Sequence, residues 1–550
     1  MKIFFVTAFF IGGLCSAIQG QSPTVGLIEN DLSSTDGIVL FAPNGSKQTF
    51  LMNKCDGIVH SWNSNYLPGL SAYLLENGDL LRAGTLQNPI FTAGGSGGII
   101  ERTDWNGNPV WHYIVSDTLQ CQHHDIHPMP NGNILAIVWE RKSINYATDA
   151  GREPSLTGSN GVWFEKIIEL KPIGNDSASI VWEWHLTDHL VQDYDNSLSN
   201  YGDIAANPGL MNVNYRANGS ADWAHLNSID YNASLDQILI SSRNFDEVYI
   251  IDHGTTTAEA GSHHGGRRGR GGDFLYRWGN PESYNHGSVT SNDHRLFGQH
   301  NAQWITTGFP NEGKILVFNN GNGRPGGNYS SINIVSPPVD SSGMYTASSL
   351  PFGPSKDTLV YKAPDGSVFY SAFIGGVQQL NNGNTLICNG QSGDFFEVNA
   401  SKNKVWEYIN PQSSGMPLSQ GELPVQNSVF RCTLYPLNYP AFVSHALQTG
   451  TPLETNPLQY PCNTVTSVSS PTTDLPVWVY PNPANGGEAV NISLAETEYI
   501  SILHDSEGRM ISSEKNMKTI STNELRSGLY FLTIIANNGH VVLKKLVVSR

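Results

Sequence analysis

Positive charge is in short supply in this chain. Its 550 residues carry 31 Lys and Arg against 48 Asp and Glu, a net charge of −17. That balance excludes nucleic acid and anionic membrane surfaces as partners, because both select a basic face. It also means that an anionic substrate needs a locally positive pocket. Cysteine is nearly as rare. Of six, Cys15 lies in the N-terminal leader, which leaves Cys55, Cys121, Cys388, Cys432 and Cys462. An odd, scattered set of this kind is not a disulfide framework. No long stretch carries apolar residues at helical spacing, and no segment after the leader is apolar enough to span a bilayer.

Turn residues and aromatics are plentiful instead. The chain has 55 Gly, 30 Pro, 12 Trp and 22 Tyr, the composition of a β-rich extracellular protein. It opens with Lys2, an apolar run and small residues up to Gly20. That reads as a secretory signal peptide over residues 1–20, too short in its apolar part to be a membrane span.

One phrase recurs: LENGDLLRAG (Leu75–Gly84), MPNGNILAIV (Met129–Val138), SLDQILISSR (Ser234–Arg243), NEGKILVFNN (Asn311–Asn320) and LNNGNTLICNG (Leu380–Gly390). Each is a tight turn followed by an alternating strand. A second pair of strands follows, with a Trp near its end: Trp111, Trp184, Trp278 and Trp406. The repeat recurs every ~50–80 residues, a spacing that indicates a β-propeller of four-stranded blades. Stacked blades bury the faces that one sheet alone leaves open, with the Trp residues between them. The chain is therefore expected to be all-β, with a six-bladed β-propeller over residues 21–448. The segment Val425–Leu437 is a candidate closing strand; a twin-sheet sandwich is the competing all-β fold. Residues 449–474 are rich in Pro, Ser and Thr and read as a linker.

The remainder, 475–550, reads as a small C-terminal β-sandwich. Its Tyr480-Pro481-Asn482-Pro483 opening, SGLYFL (Ser527–Leu532) and final KKLVV resemble the C-terminal sorting domain of proteins exported by the type IX system of Bacteroidetes. The resemblance implies that the type IX machinery is a partner and that the protein is secreted or held at the cell surface.

Histidines stand at the start of several inner strands: QCQHHDIHPMP, DWAHLNSIDY and FGQHNAQWI. Inner strands of a propeller converge on its axis, so His124, His225 and His300 are expected to meet there. His123 and His124 are adjacent, and His124 is the better candidate to face the channel. Arg243, eighteen positions after His225, can return beside it. Imidazoles and one guanidinium in a narrow channel suit a compact tetrahedral oxyanion, and imidazole is also a nucleophile and proton carrier near neutral pH. The spacing of His124 and His127 also fits metal ligation, but Pro128 and the following turn favour a strand start, so no metal and no cofactor are expected. The glycine-rich NNGNGRPGG (Asn319–Gly327) reads as an exposed loop, and the Arg267–Arg270 cluster as a solvated, mobile one.

The phrases HHDIHPMPNGNIL, WAHLNSIDY with QILISSRN, GDFLYRWGNP and QHNAQWI resemble the bacterial aryl-sulfate sulfotransferase family, over most of residues 60–410. The resemblance implies a six-bladed propeller that moves a sulfuryl group from an aryl sulfate donor to a phenolic acceptor, without a nucleotide donor. It implies that His300 is a nucleophile that becomes transiently sulfated and that His225 and Arg243 hold the sulfuryl oxygens. It makes His124, or His123, the remaining channel histidine; Asn227, two residues after His225, is a supporting donor. Two departures stand out: the insertion Gly261–Phe274, and Asn301 where an acidic neighbour is usual. The alternative function is a non-catalytic extracellular propeller that binds carbohydrate or another polymer.

Overall fold

Each recurring turn phrase folds as the corner of a hairpin, with a left-handed residue such as Gly78, Gly132, Asp236, Gly313 or Gly383 at the bend. The computed structural model describes residues 22–549 apart from 288–292, 346–350, 365–367, 444, 446, 459–476, 495–498, 506–509, 524 and 537–540. The expected signal peptide and most of the expected linker lie outside the described residues. The described chain is all-β, forms two units with their boundary near Asn463, and holds no helix long and apolar enough to cross a membrane.

Among the described residues the first unit contains six antiparallel sheets of four or five strands, besides two two-stranded pairs. Going round, the first sheet joins Val429–Tyr435 to Ile38–Pro43, Gln48–Asn53 and Ile58–Asn63. The second starts at Pro68–Leu74, the third at Gln120–Pro128 and the fourth at Leu226–Asn232. The fifth starts at His300–Trp304 and the sixth at Gly376–Gln379. The two ends of the unit interlock. Val429–Tyr435 is the innermost strand of the first sheet, and Gly26–Asn30 is a fifth, outermost strand on the sixth.

Innermost strands expose an edge whose backbone N–H groups need acceptors. Each such strand finds one on the preceding sheet. Ile126 N–H donates to Ser71 Oγ, Ile229 N–H to Asp125, and Trp304 N–H to Asp230. Val377 N–H donates to Asn301, Leu434 N–H to Gln378, and Leu74 N–H to the Tyr435 hydroxyl. These six bonds tie each sheet to the one before it and the first to the last.

The rim is latched in the opposite direction, from one sheet to the next, by tryptophan. Indole N–H groups of Trp62, Trp111, Trp184, Trp278 and Trp406 donate to backbone carbonyls of Asp104, Ser177, Gly272, Pro354 and Lys54. All five rings are buried, so each fills a gap between sheets and satisfies its one polar atom there. The second strands differ from the alternating pattern expected of them. Gln237–Ser242, Ile315–Asn319 and Thr385–Asn389 are buried at every position. Both faces of each sheet are covered by neighbours, so neither face needs to be polar.

The first residues of the expected linker pack on the first unit. Gly450 N–H donates to Ile58 O, Thr455 N–H to Leu418 O, and Glu454 is buried. Cys55 is disulfide-bonded, whereas Cys121, Cys388 and Cys432 are free and buried. In the second unit a three-stranded and a five-stranded sheet share one core that includes Val490, Ile492, Leu503, Leu532 and Leu546.

Candidate functional site

The histidine-bearing strands start with a backbone kink. His124 and His225 have φ of 50° and 53°, in the left-handed region, each next to a break in strand register. Non-glycine residues there are strained and persist only where the surroundings hold them. In the fifth sheet the left-handed residue is Asn301, φ 48°, and not His300. His300 is thus one position out of step with the other two. Asn301 turns away to accept from Val377 N–H, while the His300 ring points into the space between the sheets.

His124 and His225 lie with ring centroids 4.6 Å apart and nearly perpendicular. The ring of Phe430, from the innermost strand of the first sheet, is 6.3 Å from His124 and 6.5 Å from His300. Gly95 backs His124: its carbonyl accepts the His124 N–H at 2.8 Å, and a Cβ there would lie 2.0 Å from the ring. Burial holds His124 well below the ordinary histidine range, and the charges of His225, His123, His300 and Arg243 push the same way.

His300 is 1 % exposed, and its tautomer follows from its neighbours. Nδ1 lies 2.8 Å from Asn320 Oδ1 and 3.1 Å from the Gly298 carbonyl. The Asn320 amide nitrogen donates to the carbonyls of Ser371 and Ile374, so its oxygen must face the ring. Nδ1 therefore bears the proton, and Nε2 keeps its lone pair, with Ile374 N–H approaching at 3.3 Å. Burial lowers the His300 pKa to about 3; the Asn320 contact opposes this, and Arg243 adds to it. The ring is neutral at physiological pH.

His225 is held by Asp222, with Nδ1 donating to the carboxylate at 2.6 Å. Arg243 N–H donates to the His225 carbonyl, which sets the two side by side. A cavity of about 430 Å³ opens here, lined by Arg243, Asp222, Trp223, Gly298, Arg216 and Asp246 among others. Arg216 and His294 both pair with Asp246. Arg243 enters no ion pair among the described residues; its Nη1 donates to Asn244 Oδ1. A second cavity, of about 370 Å³ and lined by Pro89, Ile90, Arg141 and Trp163, shares Ser220 and Asp222 with the first.

His123 faces away from this space. It stacks on Trp139 at 3.9 Å, contacts Glu165 through Nε2 at 2.8 Å, and meets His124 Nδ1 through its own Nδ1 at 2.9 Å. Burial pushes His123 down and Glu165 up, which leaves a pair without net charge. Asn227 does not reach the cavity either. Its amide donates to the Gln299 carbonyl at 2.7 Å and braces the residue before His300. His127 pairs with Asp230 at 3.4 Å, apart from the other histidines.

Asp222, Glu165, Asn320 and Phe430 are not among the residues expected from sequence. Two carried a signal. Asp222 stands three positions before His225 in DWAHLNS. Asn320 falls at the same place in KILVFNN as Arg243 in QILISSR and Trp139 in NILAIVW. That one position per repeat supplies the residue beside each sheet's histidine. The loop expected to be merely exposed, Asn319–Gly327, thus holds at its second position the residue that orients His300, and its Asn322, Gly323 and Pro325 line the cavity.

Among solved structures, a protein of unknown function from Bacteroides caccae is 12% identical, covering 73% of this chain and 99% of its own, at TM-score 0.37. Virginiamycin B lyase from Staphylococcus aureus is 10% identical over 70% of this chain and 88% of its own, at 0.31. The β-propeller domain of Cps50 (Swd1) from Myceliophteria thermophila is 11% identical over the same shares, at 0.29. No curated protein matches. The family model for a secretion system C-terminal sorting domain matches residues 478–549, which marks the chain for export to the cell surface or beyond. The model for arylsulfotransferase (ASST) matches residues 84–418, spanning every residue of the His300 centre except Phe430, and the chain belongs to that family.

Proposed function

We propose that this chain is a six-bladed β-propeller, followed by a β-sandwich sorting domain, that moves a sulfuryl group from an aryl sulfate to a phenol by a ping-pong route through His300. No nucleotide donor takes part. The observation that carries this reading is His300 itself: a buried, neutral imidazole with its Nδ1 proton tied to Asn320 and its Nε2 lone pair held only by the long contact from Ile374 N–H, near a guanidinium that has no carboxylate partner among the described residues.

In the first half-reaction Nε2 attacks sulfur and the bond from sulfur to the aryl oxygen breaks, so the phenolate leaves. In the second, the oxygen of an acceptor phenol attacks sulfur, the N–S bond breaks, and His300 is regenerated. Arg243 and His225 donate to the sulfuryl oxygens as charge shifts onto them and the leaving group. His124 carries the proton that the leaving phenolate gains and the acceptor phenol loses. His123 and Asn227 act as braces, one behind His124 and one behind His300.

The test is p-nitrophenyl sulfate with and without added phenol, read as p-nitrophenolate release and aryl sulfate formed. Release should rise with phenol and vanish in His300→Ala, and donor alone should leave one sulfuryl group on His300, found by mass spectrometry. Release independent of phenol would make the protein a hydrolase. No release, together with glycan binding, would favour a non-catalytic binding propeller.

A further inference from the structure

We propose that His189, His263 and Asp273 bind a divalent transition-metal cation of the zinc class, at a site that shares no residue with the His300 centre. The three sit where the outer end of the third sheet meets the Gly261–Phe274 insertion. His189 follows the short turn Leu186–Asp188. His263 and Asp273 lie between the helix Thr257–Ala260 and the strand Tyr276–Trp278. One ligand atom from each of the three lies within 4.8 Å of the other two, and this is the one such group found among the described residues.

His189 Nε2 lies 2.8 Å from the Ala260 carbonyl. A carbonyl can only accept, so Nε2 donates there and Nδ1 is the nitrogen turned toward Asp273, 2.8 Å from its Oδ1. His263 Nδ1 reaches the same oxygen at 2.8 Å. Two imidazole nitrogens and one carboxylate thus gather in one place. An imidazole that donates its far N–H to a backbone carbonyl is the arrangement metal-bound histidines adopt.

The site is also built rather than incidental. His189 is fully buried, and its ring stacks on Trp184 at 5.4 Å with 5° between planes. The Trp184 indole N–H donates to Gly272 O. A Cβ on Gly272 would lie 2.0 Å from Ala260 O and 2.7 Å from His189 Nε2, so only glycine permits this approach. Within the arginine cluster expected to be solvated, Arg268 is buried against Asp252, and its amide N–H donates to the same carboxylate. Two imidazoles and one carboxylate favour zinc and its neighbours over calcium or magnesium, which take oxygen ligands. The His263 side chain is 58% exposed, beside a cavity of about 700 Å³ that gives the ion a way in and leaves a coordination position to water.

The experiment uses the untagged full chain, stripped with a chelator and titrated with ZnCl₂ by calorimetry. One tight equivalent is expected, with a higher thermal midpoint and, with CoCl₂, a visible absorption band from ligand-bound cobalt. His263→Ala touches an exposed side chain and keeps the fold. It should weaken zinc at least about tenfold to hundredfold and abolish both the midpoint rise and the band. Asp273→Asn should do the same, whereas His300→Ala should bind zinc as the parent does. No tight equivalent in the parent, or equal binding by His263→Ala, overturns the site. Neither result bears on sulfuryl transfer, which is measured separately.

Discussion

At the scale of single residues, the His300 centre depends on a tautomer, and Asn320 sets it. In Asn320→Ala the Nδ1 proton loses its acceptor and the ring is free to turn or to present N–H instead of a lone pair. Loss of an oriented, buried hydrogen bond costs about 1–3 kcal/mol, so kcat should fall about tenfold to hundredfold with little change in KM, measured in steady state with p-nitrophenyl sulfate. The pH dependence follows from the same environment. Burial holds the His300 pKa at about 3, so the neutral, nucleophilic form persists as pH falls through the ordinary histidine range. Rapid-mix measurement of the first p-nitrophenolate burst should therefore give the same rate from about pH 8 to about pH 5. An acid limb near 6.5 would mean a solvated ring. Asn320→Asp is the complementary case. A carboxylate facing Nδ1–H stabilises the imidazolium, so the acid limb should move up into the accessible range.

At the scale of elements, the repeated turn-and-strand phrases were legible because hairpin corners and buried second strands impose the same residue types each time. The Trp latches were legible for the same reason, as one large ring in five of the six gaps between sheets. What the sequence hid is the kink at each inner strand. A residue forced to positive φ by its neighbours carries no local signature, so histidines that align by eye differ by one place: His124 and His225 are left-handed, and in the fifth sheet Asn301 is. Long-range partners were hidden too. Glu165 reaches His123 from 42 positions away, and Gly95 backs His124 from another loop. Gly95 makes a sharp test, because its φ is +92° and any Cβ would strike the His124 imidazole. Gly95→Ala should displace that ring while the six sheets stay intact. Misplacing a reacting group by about an ångström costs on the order of a hundredfold, so kcat should fall by about that factor at unchanged far-ultraviolet circular dichroism. Retained activity would mean that His124 handles no proton in the rate-limiting step.

At the scale of the whole molecule, the site is a property of closure. No single sheet holds it: His124 comes from the third, His225 and Arg243 from the fourth, His300 from the fifth and Phe430 from the first. These meet only if the ring of inner strands is complete, and completion rests on Val429–Tyr435 pairing with Ile38–Pro43, almost four hundred residues apart in sequence. The sorting unit stands outside that dependence, since its two sheets share a core of their own. Two truncations separate the cases. Ending the chain after Asn463 removes the second unit and keeps every inner strand, so the thermal midpoint of the first unit and the rate of sulfuryl transfer should match those of the full chain. Ending it after Gln426 removes the closing strand and Phe430. The unpaired edge of Ile38–Pro43 is then exposed, and the Asp125 carboxylate loses the Arg431 guanidinium that holds it at 2.8 Å. Removing one partner of a buried ion pair costs about 3–5 kcal/mol, on top of the lost strand, which is a large share of the stability of a typical domain. The shorter chain should therefore unfold cooperatively at a much lower temperature and transfer no sulfuryl group at any temperature. Activity in it would mean that the histidines gather without the ring, and the account of the site as a consequence of closure would fall.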